Sequence, residues 1–150
     1  KGVQRRFNKI FTYNKVDFFD DYAHHPTEIK VVLDGVNNVY KDYEKICIFQ
    51  PHRISRLKDL KKQFTYAFKD ADTVILCPIY SAGEKIKLGF SYEDFGKKII
   101  KNSGVKLFMV ENNNQLAKYL KQNMYGKKIV VGMGAGSISS WIKKLPNLMK

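Results

Sequence analysis

The chain has 150 residues, 44% of them apolar and 27% charged, a balance that fits one compact domain and excludes a second full domain or a disordered chain. Lys and Arg outnumber Asp and Glu by 27 to 14, a formal net charge of +13, which raises the question of nucleic acid or another polyanion as partner. No apolar run approaches the roughly 20 residues that span a bilayer, and residues 1–6 lack a secretory signal, so a soluble, cytoplasmic protein without a membrane partner is expected.

In chain order, segments 3–7 and 11–13 read as extended, with a turn expected at Asn8-Lys9 and hence an added antiparallel strand or hairpin. The chain opens without the usual beginning of an α/β domain, and reads as a piece of a longer protein. Uninterrupted apolar runs follow at 46–49, 74–77, 107–110 and 129–131, the pattern of strands covered on both faces, and a fifth run, 16–19, precedes them. Between them the apolar period becomes helical. Ile29, Val32, Leu33, Val36 and Tyr40 form one stripe, and Leu57, Leu60, Phe64, Ala67 and Phe68 a second. Weaker stripes follow at Phe95, Ile99 and Ile100, at Leu116, Tyr119, Leu120 and Met124, and at Ile138, Trp141, Ile142 and Leu145.

Strands alternating with helices predict a three-layer, Rossmann-like α/β domain over 1–150. Its sheet has about six mostly parallel strands, one of them antiparallel and N-terminal, with helices on both faces. Cys47 and Cys77 lie inside apolar runs and read as buried packing residues, with no disulfide and no metal site. The lysines fall on the polar sides of the helical segments (Lys58, Lys61, Lys62; Lys97, Lys98, Lys101; Lys118, Lys121) and are not massed among aromatics. Solvated lysine faces are therefore expected, and no nucleic acid, although a small anionic substrate would also suit this charge.

In an open α/β sheet, ligands bind outside the carboxyl ends of the strands. Here those ends carry Asp20-Asp21-Tyr22-Ala23-His24-His25-Pro26, then Gln50-Pro51-His52-Arg53-Ile54-Ser55-Arg56, then Tyr80-Ser81-Ala82-Gly83-Glu84, and last Gly132-Met133-Gly134-Ala135-Gly136-Ser137. They should converge on one rim. Pro26 suits the first helical position and Glu28 the first turn, but one capped helix does not need two carboxylates, a phenol and two imidazoles ahead of it. His24-His25 are adjacent and no third ligand is spaced to help, so binding roles for Asp21 and His24 are preferred to a metal. Arg53 and Arg56, three apart at a helix start expected near Ser55, read either as a carboxylate or phosphate clamp or as a surface ion pair. The glycine cluster departs from G-x-G-x-x-G at Ser137 and reads as a tight strand-to-helix turn, with close approach of a ligand or another domain as the second reading. No G-x-x-x-x-G-K-[ST] loop and no G-x-S-x-G elbow occur, so the chain alone is not expected to catalyse.

These motifs resemble the C-terminal domain of the Mur ligase family. Gly2-Val3 with Arg5-Arg6-Phe7 is similar to its G-V-x-R-R-F opening, residues 20–26 to D-D-Y-[AG]-H-H-P, residues 51–56 to P-H-R-x-x-R, residues 80–84 to Y-A-A-G-E, and residues 134–138 to G-A-G-x-I. The resemblance is nearest to the branch that adds L-alanine to UDP-N-acetylmuramate for peptidoglycan and cell-wall synthesis, by phosphorylating the muramoyl carboxylate with ATP before the amine attacks. It implies that ATP and Mg2+ are bound mainly by a central domain and UDP-N-acetylmuramate by an N-terminal one, with those two domains as partners of this one. The isolated domain would be inactive. It further implies that Asp21 bonds the ATP ribose, and that Tyr22, His24, Arg53 and Arg56 line the L-alanine pocket, the arginines on its carboxylate. His52 and Glu84 would support them. A branch that reattaches recycled murein tripeptide shares a very similar D-D-[YF]-A-H-H-P segment but typically lacks P-H-R-x-x-R. Ile54, Leu57, Ser81 and Ser137 depart from the family pattern, which touches the shape of the pocket and of the last turn. A basic polyanion-binding module, whose binding would depend steeply on salt, is the alternative of another class.

Overall fold

The computed structural model describes residues 6–150, and the expected hairpin stands at its start. Strands β1 (Asn8–Tyr13) and β2 (Val16–Asp21) are antiparallel, with Tyr13 opposite Val16. The turn is not at Asn8-Lys9, which lie within β1 opposite Asp20 and Phe19. It is at Asn14 and Lys15, both left-handed (φ 51° and 67°), as a two-residue hairpin loop requires. Asn accepts that conformation, so the turn could form without the glycine that usually marks it. Of the segment 3–7, only its end lies within the described residues; there Phe7 stacks on Phe19 at 4.1 Å.

The remaining elements are α1 (Pro26–Val39), β3 (Glu44–Phe49), α2 (Ile54–Asp59), α3 (Lys61–Thr65), β4 (Thr73–Leu76), α4 (Tyr92–Ser103), β5 (Lys106–Met109), α5 (Asn113–Asn123), β6 (Lys128–Met133) and α6 (Ile138–Leu148). The six strands form one sheet in the order β1-β2-β6-β3-β4-β5, parallel except for β1, which is the predicted fold class.

Strand alternation divides the core in two. Cys47 and Phe49 of β3 face one layer with Ile29 and Leu33 of α1, Leu57 of α2, Phe64 of α3 and Phe95 of α4. Ile46 and Ile48 of the same strand face the other, with Leu116 and Leu120 of α5 and Ile142 and Leu145 of α6. Both cysteines are free and buried, and burial pushes both thiols up, so they stay protonated packing groups.

Two further expectations need correction. The single helical stripe 57–68 is two short helices, because Leu60 leaves the helical region (φ −117°, ψ 19°); Leu57 and Phe64 nevertheless reach the same core. The run 107–110 is not covered on both faces. It forms the edge strand β5, where Phe108 and Met109 are each 41% exposed. No helix among the described residues is long and apolar enough to cross a membrane.

The parallel register sets Asp21 beside Met133, Met133 beside Phe49 and Phe49 beside Leu76. The carboxyl ends of β2, β6, β3 and β4 therefore form one row.

Candidate functional site

At the end of β2, most of the polar cluster serves the fold. Asp21 is buried, and its two carboxylate oxygens accept the amides of Ala23 and Phe7, each at 2.8 Å. Burial pushes its carboxyl up, and those two amides only partly offset the rise. His25 is the N-cap of α1, with Nδ1 accepting the Thr27 amide at 3.3 Å, and Pro26 opens the helix as expected. Glu28 Oε1 accepts the amides of His24 and His25 at 3.1 and 3.2 Å. Burial alone would raise the Glu28 carboxyl, but these amides outweigh it and hold the group below its usual range. The rings of Tyr22 and His24 meet edge to face at 5.0 Å. His24 Nδ1 lies 2.9 Å from the Tyr22 carbonyl, which can only accept, so that nitrogen carries the proton.

At the end of β3 the chain is held differently. Arg53 is the N-cap residue of α2 and lies at φ 75°, ψ 131°, a conformation that costs a non-glycine residue about 1–3 kcal/mol. It is kept there by its amide, which donates to the Tyr80 carbonyl at 2.8 Å, while Tyr80 donates its amide to the Pro51 carbonyl at 2.9 Å. Arg56 Nη1 donates to His52 Nδ1 at 3.2 Å. A guanidinium only donates, so His52 is the neutral tautomer protonated at Nε2. Burial lowers its pKa first, and the charges of His24, Arg56 and Arg53 lower it further. The His52 ring stacks on Tyr80 (5.6 Å, 10°) and meets His24 edge to face at 5.7 Å.

The third strand end supplies Glu84. It accepts the Ser55 amide at 3.0 Å and the Ser55 hydroxyl, and lies 3.8 Å from Arg53 Nη1. The Ser55 hydroxyl and amide lower its carboxyl first, with Arg53 adding to them. The fourth end closes the row from beneath. A Cβ on Gly136 would stand 2.5 Å from Tyr80 Cγ, and one on Gly134 2.9 Å from the Gln50 carbonyl, so these glycines serve a tight turn packed by this chain's own residues. Buried Gln50 ties that turn down, donating to Ser137 Oγ at 2.9 Å and accepting the Ile138 amide at 3.0 Å.

The rim thus joins Tyr22, His24, His52, Arg53, Arg56 and Glu84 in one run of contacts, while Asp21 lies below it. Asp21 and Tyr22 also line a cavity of about 160 Å3 together with Arg6, Glu28 and Val31. A hollow of about 600 Å3 lined by Lys41, Tyr43, Lys45, Asp72 and Lys106 opens at the opposite, amino-terminal edge of the strands. Among the described residues, no group of three or more His, Cys, Asp or Glu is placed to hold a metal ion. Sequence reasoning passed over Tyr80, Ser55 and Gln50 as individual site residues. Gln50 was findable, as the polar residue that ends a fully apolar run, whereas the Tyr80 stack and the Ser55 contact depend on pairing across strand ends. Chemically, the rim offers two guanidinium groups beside a neutral imidazole, groups of the kind that pair with carboxylates.

The sequence profile of the Mur ligase, glutamate ligase domain matches residues 5–136. The chain belongs to the Mur ligase family. A UDP-N-acetylmuramate–L-alanine ligase of Pelagibacter ubique is 69% identical over 149 residues, covering 99% of this Mur ligase chain and 32% of that protein. The crystal structure of a UDP-N-acetylmuramate-alanine ligase from Thermotoga maritima superposes with a TM-score of 0.73 at 26% identity, over 95% of this chain and 29% of that one. A murein peptide ligase from Psychrobacter arcticus gives a TM-score of 0.76 at 20% identity, over 97% of this chain and 30% of that one, a likeness of fold alone. This chain spans about a third of the length of the curated relatives it matches.

Proposed function

We propose that this chain is the C-terminal domain of a cytoplasmic, three-domain, ATP-dependent ligase that joins L-alanine to UDP-N-acetylmuramate in peptidoglycan precursor synthesis. The observation that carries the reading is the 69% identity to a ligase of that name over nearly the whole chain. The arginine pair on the rim supports it from the chemistry, since free L-alanine brings a carboxylate to be clamped, whereas the alanyl carboxyl of a tripeptide is already an amide.

The contribution of this domain is position. Arg53 and Arg56 hold the L-alanine carboxylate, Tyr22 and His24 bound the pocket, and His52 keeps Arg56 aimed, so that the amine is presented at a fixed place. Asp21 contacts the ATP ribose through the lone pairs left over by Phe7 and Ala23. By the family resemblance, phosphate transfer and Mg2+ fall to the central domain, and no phosphoryl step is assigned here. UDP-N-acetylmuramate falls to the N-terminal domain, and closure of the domains completes the site.

The test is ATP-dependent phosphate release by the full-length protein with UDP-N-acetylmuramate, offered L-alanine or the recycled tripeptide. L-Alanine should support turnover, and the Arg53→Ala, Arg56→Ala double variant should raise its KM roughly 100-fold or more, as expected when a carboxylate loses both charged partners. Turnover with the tripeptide alone would move the protein to the recycling branch. Turnover with neither, together with salt-sensitive binding to a polyanion, would bring back the basic module. Turnover by the 150-residue chain alone would contradict the division of labour.

A further inference from the structure

We infer that Glu84 is the positioning residue of the amino-acid pocket: it caps α2 from the loop after the neighbouring strand, β4, and so sets where Arg53 and Arg56 point. The inference rests on the ligase reading for its kinetic consequence, but its structural half stands on α2 itself.

Helix α2 has no cap of its own. Its N-cap position is Arg53, which makes no side-chain capping bond, and no acidic residue lies in its first turn. Two guanidinium groups near the positive end of a short helix oppose the helix dipole. The missing acceptor comes from 29 positions downstream. Ser81 to Glu84 form a tight turn in which Ala82 and Gly83 are both left-handed (φ 55° and 85°), closed by the Glu84 amide donating to the Ser81 carbonyl at 3.1 Å. That turn is registered on the α2 loop by the His52–Tyr80 bridge and by the paired amides of Arg53 and Tyr80. From there the Glu84 carboxylate takes the Ser55 amide and hydroxyl and faces Arg53 Nη1, with a side chain only 18% exposed. One carboxylate therefore answers three demands: an orphan amide of the first turn, the dipole, and the charge of a guanidinium held on a strained backbone. Arg53 meets Glu84 at 3.8 Å through one nitrogen, with its own side chain 47% exposed, so the guanidinium keeps donors for a ligand.

The test uses the full-length protein. In Glu84→Ala, hydrogen exchange of the peptide covering residues 53–59 should quicken while β3 and β6 stay protected, and the KM for L-alanine should rise about tenfold with a smaller effect on kcat. The KM values for ATP and UDP-N-acetylmuramate should stay within about twofold. Restoring an acidic group locally, by Ser55→Asp in the Glu84→Ala background, should recover most of the L-alanine KM, which a direct contact between Glu84 and substrate would not allow. Unchanged exchange at α2 in Glu84→Ala overturns the capping role whatever the enzyme's substrate. Quickened exchange with an unchanged L-alanine KM, or with all three KM values raised alike, overturns the link to the pocket. If wild type turns over the tripeptide and not L-alanine, the ligase reading fails while the exchange experiment still decides the capping role. Should Glu84→Ala fail to fold, Ser55→Ala, which removes only the hydroxyl contact, is expected to shift exchange and KM in the same directions by about twofold to threefold, and no shift overturns the inference.

Discussion

The β2–α1 and β3–α2 corners sit side by side on one rim, yet they are built on opposite plans. Helix α1 has 14 residues and carries its own start: His25 caps it, Pro26 opens it, and Glu28 reaches back to the amides of His24 and His25. Helix α2 has six residues, starts on a left-handed arginine and borrows its cap from a distant turn. Where the start is local, most of the polar residues are consumed by the fold. Where it is borrowed, the charged residues stay available, and the support comes from elsewhere.

That contrast can be broken or sharpened by substitution. The largest stability effect is expected from Gly136→Ala, whose Cβ would meet Tyr80 at 2.5 Å and push it off His52. Overpacking of this kind costs about 1–3 kcal/mol, visible as a lower melting temperature, and the L-alanine KM should rise with it because Tyr80 also holds Arg53. Next, Glu28→Ala should cost about 1 kcal/mol, the usual value of a lost cap, with a smaller rise in L-alanine KM than Glu84→Ala. Equal KM effects from both carboxylates would erase the distinction between the two corners. Arg53→Gly should work in the other direction, stabilising the fold by about 1 kcal/mol through relief of the positive φ while weakening L-alanine binding. A melting temperature that falls in this variant would mean that the conformation is not strained.

The smallest effect is the pH dependence of His52. Its neutral ring accepts from Arg56, and its pKa is lowered, so the arrangement is intact above that pKa and lost as pH falls through it. The L-alanine KM should therefore rise on the acid side, below the ordinary histidine value of about 6.5. His52→Gln should flatten that rise, and an unchanged profile in the variant would assign it to another group.

Most of the fold was legible because the short runs at 46–49 and 74–77 are apolar on both faces, as covered strands are, and alternate with helical stripes such as that from Ile29 to Tyr40. The misplaced turn at Asn8-Lys9 and the exposed edge of β5 share one cause. A strand's neighbour, or lack of one, is a property of the assembled sheet, and periodicity within the strand does not carry it. The site divides along the same line. Asp21, His24, Arg53 and Arg56 could be singled out because they lie at or just after strand ends, and Tyr22 through the family resemblance. That Asp21 and His25 are largely spent on the fold, and that Glu84 caps the arginine helix, depends on contacts between separate strand ends that no local spacing records.

The central claim is that the arginine pair on α2 reads a free carboxylate, and the most direct measurement compares L-alanine with L-alaninamide as acceptors for the full-length protein. The account predicts a strong preference for L-alanine in the wild type that nearly vanishes in the Arg53→Ala, Arg56→Ala variant, because the amide lacks the group the pair would bind. A double variant that still prefers L-alanine to the same degree would contradict it, and would place recognition of the carboxylate outside this domain.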